Sequence, residues 1–256
     1  MKEREVYASL RVLSPIIIRI DGRSFHALTD GCTRPFDEHF ATVMTEVGWD
    51  LLKRSDLGPR LAYTFSDEIN LYFDVIPFDG RIEKLDSVVA SYAASAFTLR
   101  FQNAHPIAFD SRIIPITEDT LCSYLLWRQQ EAWRNHNNAY AQHVLHEDGF
   151  LPGEISAYLH GKRTKDLHEI CFTHGINLAQ TPAWQRRGVL IYKKSVEKEA
   201  YDPRDGTCGV TYRTKVVIDR DIPLFSTPKG QELVHHMCGF SNSGSDKRIL
   251  HGNKQW

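Results

Sequence analysis

The sequence lacks the features that tie a protein to a membrane or to an oxidising compartment. None of its 256 residues falls in an apolar run approaching the ~18 residues that a membrane-spanning helix needs. The first residues lack the basic and then apolar stretch that is typical of a secretion signal. The five cysteines are scattered and odd in number, which disfavours a disulfide framework. We therefore expect a cytoplasmic protein with reduced thiols.

An excess of charge of either sign is also missing. The chain has 31 Lys and Arg against 32 Asp and Glu, a formal net charge of −1. Any contact with nucleic acid must therefore come from local basic patches and not from the field of the whole molecule. Internal repeats and low-complexity tracts are absent as well, and a hydrophobic fraction of 42% is typical of a globular protein with a sizeable core.

The spacing of apolar residues predicts an ordered series of strands and helices in the first half of the chain. β-Branched runs and alternation indicate strands, and apolar residues three and four positions apart indicate helices. The predicted elements are, in order, a strand at 16–20, a helix at 36–52, strands at 61–65 and 69–73, a helix at 82–99 and a strand at 107–116. This βαββαβ order is that of ferredoxin-like antiparallel sheets, to which polymerase palms belong.

The second half of the chain predicts additions to that sheet. A helical pattern runs from Glu118 to about His146, another covers roughly 154–175, and the last sixty or so residues mix strand-like and charged segments. We expect an α+β fold with a palm-like core over residues 1–135. A helical and strand-rich extension over 136–256 would complete the core and end in a strand-rich arm.

Two acidic motifs fall at strand ends that this topology brings together. The first strand of a βαββαβ sheet lies beside the central hairpin, so Asp21 and Asp67 can converge although 46 positions separate them, with Glu68 adjacent. Two carboxylates and the carbonyl of Gly22 would suit Mg²⁺, and a pair of such ions can drive an in-line displacement at phosphorus. Asp-Gly and Ser-Asp-Glu are also ordinary turn formers, and only their joint placement favours catalysis.

The segment after Asp21 offers groups that suit a triphosphate. Gly22, Arg23, Ser24, Phe25 and His26 supply consecutive backbone N–H groups, a guanidinium and an imidazole. Arg34 and Lys84 are further candidates for phosphate binding, although a solvated surface cation is the commoner role of a lone basic residue.

Four motifs together resemble the tRNA-His guanylyltransferase superfamily. They are Arg19-Ile20-Asp21-Gly22-Arg23-Ser24-Phe25-His26, Ser66-Asp67-Glu68-Ile69, Trp127-Arg128-Gln129 and Trp184-Gln185-Arg186-Arg187-Gly188. The likeness runs from about Glu3 to Tyr192. The segment after Trp127 keeps only the first asparagine of the eukaryotic His-x-Asn-Asn stretch. In this respect the chain resembles more closely the archaeal and bacterial guanylyltransferase-like (3′-5′ RNA polymerase) branch.

The resemblance implies a specific active site. Asp21, the Gly22 carbonyl and Asp67 would hold two Mg²⁺ ions with Glu68 as a further catalytic residue, and Ser66 would join residues 22–26 around a nucleoside triphosphate. Arg34 occupies the place where family members often carry a lysine, which keeps the charge but changes the geometry.

The resemblance also implies the reaction and the partners. ATP would activate the 5′-monophosphate of a tRNA, and the 3′-hydroxyl of GTP or another nucleotide would then attack it. The RNA would grow at its 5′ end, directed by the opposite strand, either as 5′-end repair or as guanosine addition to tRNA-His. A homo-tetramer, a dimer of dimers, is implied as well.

Basic residues in the later part of the chain are candidates for contacts with the acceptor stem. Between Trp184 and Arg220, nine Lys and Arg stand against five Asp and Glu, and this surplus predicts an RNA-gripping arm. A charge-rich hairpin is also a normal way to protect an exposed sheet edge. The candidate tRNA-binding residues are Arg128, Arg134, Asn135, Arg186, Arg187, Lys198 and Arg213.

Two other functions remain compatible with the same topology. A nucleotide cyclase or diguanylate cyclase would place carboxylates similarly, but such cyclases carry a G-G-[DE]-E-F type hairpin and this turn reads S-D-E-I. A non-catalytic RNA-binding module would need exposed aromatic residues on the central strands, where this chain has Tyr63, Phe65, Tyr72 and Phe73. It would give the carboxylates no role.

Overall fold

The computed structural model describes residues 1, 4–102, 105–201 and 208–238, without the side chains of residues 26, 27, 199–201, 208 and 209. The strands are β1 (Ile16–Arg23), β2 (Leu61–Phe65), β3 (Glu68–Phe73), β4 (Ala108–Pro115), β5 (Val189–Tyr201) and β6 (Cys208–Asp219). The helices are α1 (Phe25–Leu28), α2 (Glu38–Lys53), α3 (Ile82–Phe101), α4 (Glu118–Glu147), α5 (Pro152–Leu159), α6 (Thr164–Thr173), α7 (Ala183–Arg187) and α8 (Pro228–Cys238).

The strands form one sheet in the order β4-β1-β3-β2-β5-β6, and every neighbouring pair is antiparallel. β3 lies between β1 and β2, and β1 lies between β3 and β4, so the βαββαβ prediction is confirmed. β5 and β6 extend the sheet beyond β2.

Helices cover both faces of the sheet. Ile16, Ile18 and Ile20 of β1 pack with α2 and α3, whereas Ile17 points to the opposite face, against the first half of α4 and against α8. β1 is therefore buried on both sides, which explains its three consecutive isoleucines at 16–18. The polar residues of β1 are Arg19 and those from Asp21 onward. Arg19 and Asp21 lie on the α4 side of the sheet.

The aromatic residues of the central hairpin belong to the core. Tyr63 and Phe73 are fully buried, Tyr72 is 1% exposed and Phe65 is 8% exposed. An RNA-binding module that stacks bases on these rings therefore has no accessible platform here. The alternation of the two strands sends Tyr63, Phe65 and Tyr72 to the α4 side and Phe73 to the α2 side.

A smaller helical layer sits on the second half of α4. Ala141 of α4 packs with Leu167 and Cys171 of α6 and with Leu178. Residue 135, where the predicted core would end, lies within α4, and that division stays a prediction. Among the described residues, no helix is long and apolar enough to cross a bilayer.

His136 of α4 is buried at the junction of these layers. Its ring stacks on Trp133 at 5.2 Å between centroids and on Phe36 at 5.7 Å. Its Nε2 lies 2.8 Å from the Thr181 hydroxyl and its Nδ1 lies 3.1 Å from Asn137 Oδ1. Burial lowers the pKa of His136 to about 4.

The buried His136 predicts a stability loss on acidification. Its folded-state pKa of about 4 lies below an unfolded value of about 6.5, so the stabilisation is present above pH ~6.5 and is lost as the pH falls towards 4. The shift corresponds to about 3 kcal/mol at most. Urea unfolding across this pH range should show a shallower decline for His136→Gln than for wild type. Parallel declines would contradict the assignment.

Candidate active site

The hairpin turn brings Asp67 to the end of β1. In the β1–β3 ladder Asp21 lies opposite Glu68, and the N–H of Gly22 donates to the carbonyl of Asp67 at 3.1 Å. Ser66 and Asp67 form a two-residue loop in which Ser66 has a positive φ of 50°. Asp21, Gly22 and Asp67, predicted from separate motifs, are thus neighbours.

The turn is a site of negative potential. Burial raises the pKa of Asp67, and the negative charges of Asp21 and of Asp110 raise it further. A hydrogen bond from the Ser66 hydroxyl at 3.0 Å acts in the opposite direction. A carboxylate whose ionisation is opposed by other carboxylates is stabilised by a cation.

Asp110 is a neighbour of the site that sequence reasoning missed. It pairs with Asp21 across β1 and β4, so Asp21 has an acidic residue opposite it on both sides. Its only signal in the sequence is an acidic interruption of an apolar strand. The register that brings it beside Asp21 becomes known only from the sheet.

The donor set fits magnesium and not zinc. No group of three or more His, Cys, Asp or Glu side chains that could hold a metal occurs in the described ranges. Mg²⁺ does not need such a cage, because it keeps several waters and binds through one or two carboxylates and substrate phosphates. Asp21 and Asp67, with the carbonyl of Gly22, meet this requirement.

Gly22 is required by the fold of the chain after β1. A Cβ at this position would lie 2.5 Å from a ring carbon of Phe25. Ser24, with φ at 60°, turns the chain so that Phe25 reaches back into the core, where it is 4% exposed and packs on Phe97 and Phe109. Phe25 can therefore offer a nucleotide its backbone but not its ring, and its place in the nucleotide site stays a prediction.

The other side chains of this segment are exposed to solvent or lie outside the described residues. Arg23 and Ser24 are exposed beside the carboxylates. The side chain of His26 lies outside the described residues, so its predicted contact stays a prediction.

Glu68 is held by a buried polar network. Arg128 of α4 donates to both of its oxygens, Nε to Oε1 at 2.9 Å and Nη2 to Oε2 at 2.6 Å. Asn70 Nδ2 also donates to Oε1 at 2.7 Å, and the Tyr124 hydroxyl donates to Asn70 Oδ1 at 2.6 Å. Glu68 is 6% and Arg128 is 7% exposed. Glu68 is therefore engaged with α4, next to the site but on the side of the core.

This network corrects one prediction and adds three residues. Arg128, expected to contact tRNA, is buried and has its guanidinium committed to Glu68. Asn70, Tyr124 and the partly buried Arg19, whose guanidinium lies 5.9 Å from the Trp127 ring, were missed. The sequence shows only that these polar residues interrupt apolar strands and a helix. Which residues they contact is determined by tertiary packing.

A cavity of about 210 Å³ opens beside Ser66. Its walls come from the segment before α2, the end of β2, the second half of α4 and α7. The lining includes Thr33, Arg34, Phe36, Phe40, Ala132, Asn135, Ala139 and Trp184. Asp37 fixes one wall by accepting from the N–H groups of Phe40 and Thr33 at 2.7 and 2.9 Å. Arg34 is largely exposed at the rim, 3.4 Å from Asp30.

Lys84 does not belong to this site. It lies in the first turn of α3, where Ile82 and Gly80 hydrogen-bond the segment that precedes β1. From Ile16 to Asp21 the strand spans ~17 Å, so Lys84 is at the far end of the sheet. Its ammonium group lies 5.6 Å from the ring centroid of Phe78.

The remaining candidate tRNA contacts are spread over three regions. Arg186 and Arg187 donate to the carbonyls of Thr181 and Ile222 and line a second cavity of about 300 Å³ on the α4 side. Exposed Arg134 pairs with Glu131 near the first cavity. Lys198 and Arg213 are exposed on β5 and β6. Contact of these residues with tRNA stays a prediction.

The Glu68–Arg128 pair should show strong coupling. Glu68→Gln and Arg128→Gln should each destabilise the protein by about 3–5 kcal/mol, because each leaves a buried partner without its counter-charge. The double variant should cost less than the sum, measured by urea unfolding. Additivity within about 0.5 kcal/mol would contradict the buried pair.

The comparisons with known proteins agree with this geometry. A family model described as tRNAHis guanylyltransferase matches residues 1–117. The chain is 32% identical over 196 residues to a protein of Drosophila melanogaster named "Probable tRNA(His) guanylyltransferase", a match that covers 71% of this chain and 68% of the relative.

Solved structures of bacterial proteins match over nearly the whole chain. A bacterial tRNA(His) guanylyltransferase-like protein in complex with GTP superposes with a TM-score of 0.72 at 27% identity and covers 92% of this chain and 95% of that one. The complex with ATP gives 0.73 at 28% identity and covers 92% and 96%. Sequence identity over two thirds of a relative, the shared fold and the juxtaposed motifs lead to one conclusion: the chain belongs to the tRNA(His) guanylyltransferase family.

Proposed function

We propose that this protein adds nucleotides to the 5′ end of tRNA by metal-dependent nucleotidyl transfer in the 3′-to-5′ direction. The observation that carries the proposal is the proximity of Asp21 and Asp67 at a turn of negative potential. Family membership and the GTP and ATP complexes of the bacterial proteins support the choice of substrates.

Asp21, the Gly22 carbonyl and Asp67 would hold two Mg²⁺ ions. Ions held there would activate the attacking hydroxyl and stabilise the leaving pyrophosphate. Arg23, exposed beside these carboxylates, supplies a cation for the triphosphate. The backbone N–H groups that follow Gly22 offer donors, whereas the N–H of Gly22 itself is bonded to Asp67. Glu68 was predicted as a further catalytic residue, but both of its carboxylate oxygens are bonded to Arg128. We therefore assign it a positioning role, in which it fixes β3 against α4.

The cavity beside Ser66 would receive the base of the nucleotide. Phe36, Phe40 and Ala132 give it apolar walls, while Asn135 and Arg34 stand at its polar part. At about 210 Å³ it is smaller than the roughly 300–1,000 Å³ of pockets for whole drug-sized ligands. A cavity of this volume can hold the base, while the triphosphate lies outside it, next to Ser66 and Asp67.

Both steps of the reaction can share the same residues. ATP activation of a 5′-monophosphate and the attack of a GTP or other NTP 3′-hydroxyl are both displacements at phosphorus with a phosphate-type leaving group. Selection of the incoming base by the opposite RNA strand would leave the protein to recognise duplex shape and backbone. The tetramer and the cytoplasmic location stay predictions, as does the balance between 5′-end repair and guanosine addition to tRNA-His.

The metal-site assignment predicts loss of activity on neutralising either carboxylate. Asp21→Asn and Asp67→Asn should each reduce incorporation of labelled GTP into a 5′-truncated tRNA by roughly a thousandfold, because metal catalysis supplies several kcal/mol. Asp79→Asn is the matched control, since Asp79 is a solvated turn aspartate at the opposite end of the sheet. Its rate should equal that of wild type. Near-normal turnover by either site variant refutes the assignment.

The base pocket predicts a separate effect on nucleotide affinity. Ala139→Leu places three extra carbons in the cavity and should raise the KM for the nucleotide with little change in kcat, because it obstructs binding equally in the ground and transition states. Ala157→Leu, on the exposed side of α5, is the control. Unchanged KM values in steady-state assays would exclude this cavity as the base site.

A further inference from the structure

Helix α7 is fixed at the end of the sheet that carries the candidate active site. Gly188 joins it to β5, whose first residue, Val189, pairs with Thr64 of β2. Gly188 has a φ of 77°, and a Cβ there would lie 2.7 Å from the carbonyl oxygen of Thr64, so this turn requires glycine. The hydroxyl of Tyr63 donates to the carbonyl of Arg187 at 2.7 Å. The side chains of α7 are therefore held beside the end of β2.

Gln185 of α7 lines the cavity beside Ser66 and is partly buried. Its Oε1 accepts a hydrogen bond from the hydroxyl of Tyr140 on α4 at 2.7 Å. Its Nε2 has no hydrogen-bond partner among the described residues and is not sealed from solvent. Because a carboxamide nitrogen carries two N–H donors, Gln185 can offer both of them to a ligand in the cavity.

The orientation of the Gln185 amide is set by Tyr140. The Tyr140 ring packs on His136 at 4.9 Å and on Phe36 at 5.7 Å between centroids, so its hydroxyl has a fixed position. Burial raises the pKa of Tyr140, and the hydroxyl therefore keeps the proton that it donates. A glutamine that is not held in this way can present either its oxygen or its nitrogen to a ligand. Here the oxygen is engaged with Tyr140.

Other polar side chains of the cavity have a different role. The hydroxyls of Thr45 and Thr64 already donate to the carbonyls of Ala41 and Glu68, at 2.7 and 2.8 Å. Of the two carboxamides in the lining, Asn135 is exposed at the rim, whereas Gln185 is partly buried. Gln185 is therefore the carboxamide that is placed to contact a base inside the cavity.

An amide that offers only its N–H donors distinguishes guanine from adenine. On the edge of the purine that carries N7, guanine presents two acceptors, N7 and O6, whereas adenine presents N7 and a 6-amino donor. Glutamine reads adenine by donating to N7 and accepting from the 6-amino group, which requires its oxygen. Because Tyr140 engages the oxygen of Gln185, the amide matches O6 of guanine and meets the 6-amino group of adenine with a second donor.

We propose that Gln185, held by Tyr140, donates to O6 of a guanine base in the cavity and thereby favours GTP over ATP at this site. The proposal rests on the proposed function, to which it adds a residue that sets base preference. One net hydrogen bond corresponds to a preference on the order of tenfold. ATP still binds, because adenine keeps N7 as an acceptor, and activation of a 5′-monophosphate is therefore compatible with this preference.

Nucleotide binding by the full-length protein, with Mg²⁺ and without tRNA, tests this proposal. The probes are GTP, ITP and ATP, each in competition with a fluorescent GTP analogue. ITP carries O6 where ATP carries the 6-amino group, so wild type should bind GTP and ITP on the order of tenfold more tightly than ATP. Gln185→Met should bring the ratio of ITP to ATP affinity close to one. Gln185→Glu presents an acceptor and should reverse the preference towards ATP.

Two further variants separate orientation of the amide from packing and charge. Tyr140→Phe keeps the ring but lets the amide turn, so the ratio of ITP to ATP affinity should fall several-fold. Gln180→Glu makes the same change of charge on an exposed glutamine outside the cavity lining and should leave both affinities unchanged. Gln185 is partly exposed, so its variants test the proposal even where Tyr140→Phe does not fold.

The affinity ratio distinguishes base recognition from a structural role. A structural role would weaken binding of ITP and ATP equally, and equal losses in both Gln185 variants would overturn the proposal. A wild-type ratio close to one, or an unchanged ratio in Gln185→Met, would overturn it as well. Absence of nucleotide incorporation into a 5′-truncated tRNA by wild type would instead refute the proposed function, since binding is measured independently. Normal incorporation without base preference would refute only the role of Gln185.

Discussion

The antiparallel register of β1 and β3 is the constraint on which the site depends. It places Asp21 opposite Glu68 and lets Gly22 hydrogen-bond Asp67, so two motifs remote in sequence meet at one end of the sheet. A slip of one residue would turn Arg19 and Asp21 towards the α2 and α3 layer and bury them among apolar side chains. The register is fixed because Ile16, Ile18 and Ile20 fill one core while Ile17 fills the other.

The Glu68–Arg128 ion pair fixes the position of α4 relative to β3. Arg128 anchors the helix to β3, and Ala132, one turn further along, forms part of the cavity wall. The same helix then holds His136 against Phe36, which stands on the other side of that cavity. The carboxylates and the cavity are thus connected through one rigid helix, so we expect nucleotide and metal to be held in a fixed relation.

Local patterns in the sequence predicted most of the fold and the principal carboxylates. β-Branched runs, helical spacing and the S-D-E turn are local signals, and they predicted β1, α2, β2, β3, α3 and β4 in the correct order, without the short helix α1. Burial and partner choice are not local. Phe25 is buried in the core, and Arg128 is buried between α4 and the sheet. Asp110 lies beside Asp21 only because of the register between β1 and the edge strand β4. The prediction for Lys84 was wrong because the apolar spacing of a helix does not show at which end of the sheet the helix begins. α3 begins at the end away from Asp21.

The proposed reaction depends on Asp21 and Asp67 sharing divalent ions beside a nucleotide. Anomalous diffraction from crystals soaked with Mn²⁺ and a non-hydrolysable GTP analogue measures this directly. We expect two manganese peaks about 4 Å apart, between these two carboxylates and the triphosphate. Manganese bound elsewhere, with neither Asp21 nor Asp67 among its ligands, would contradict it.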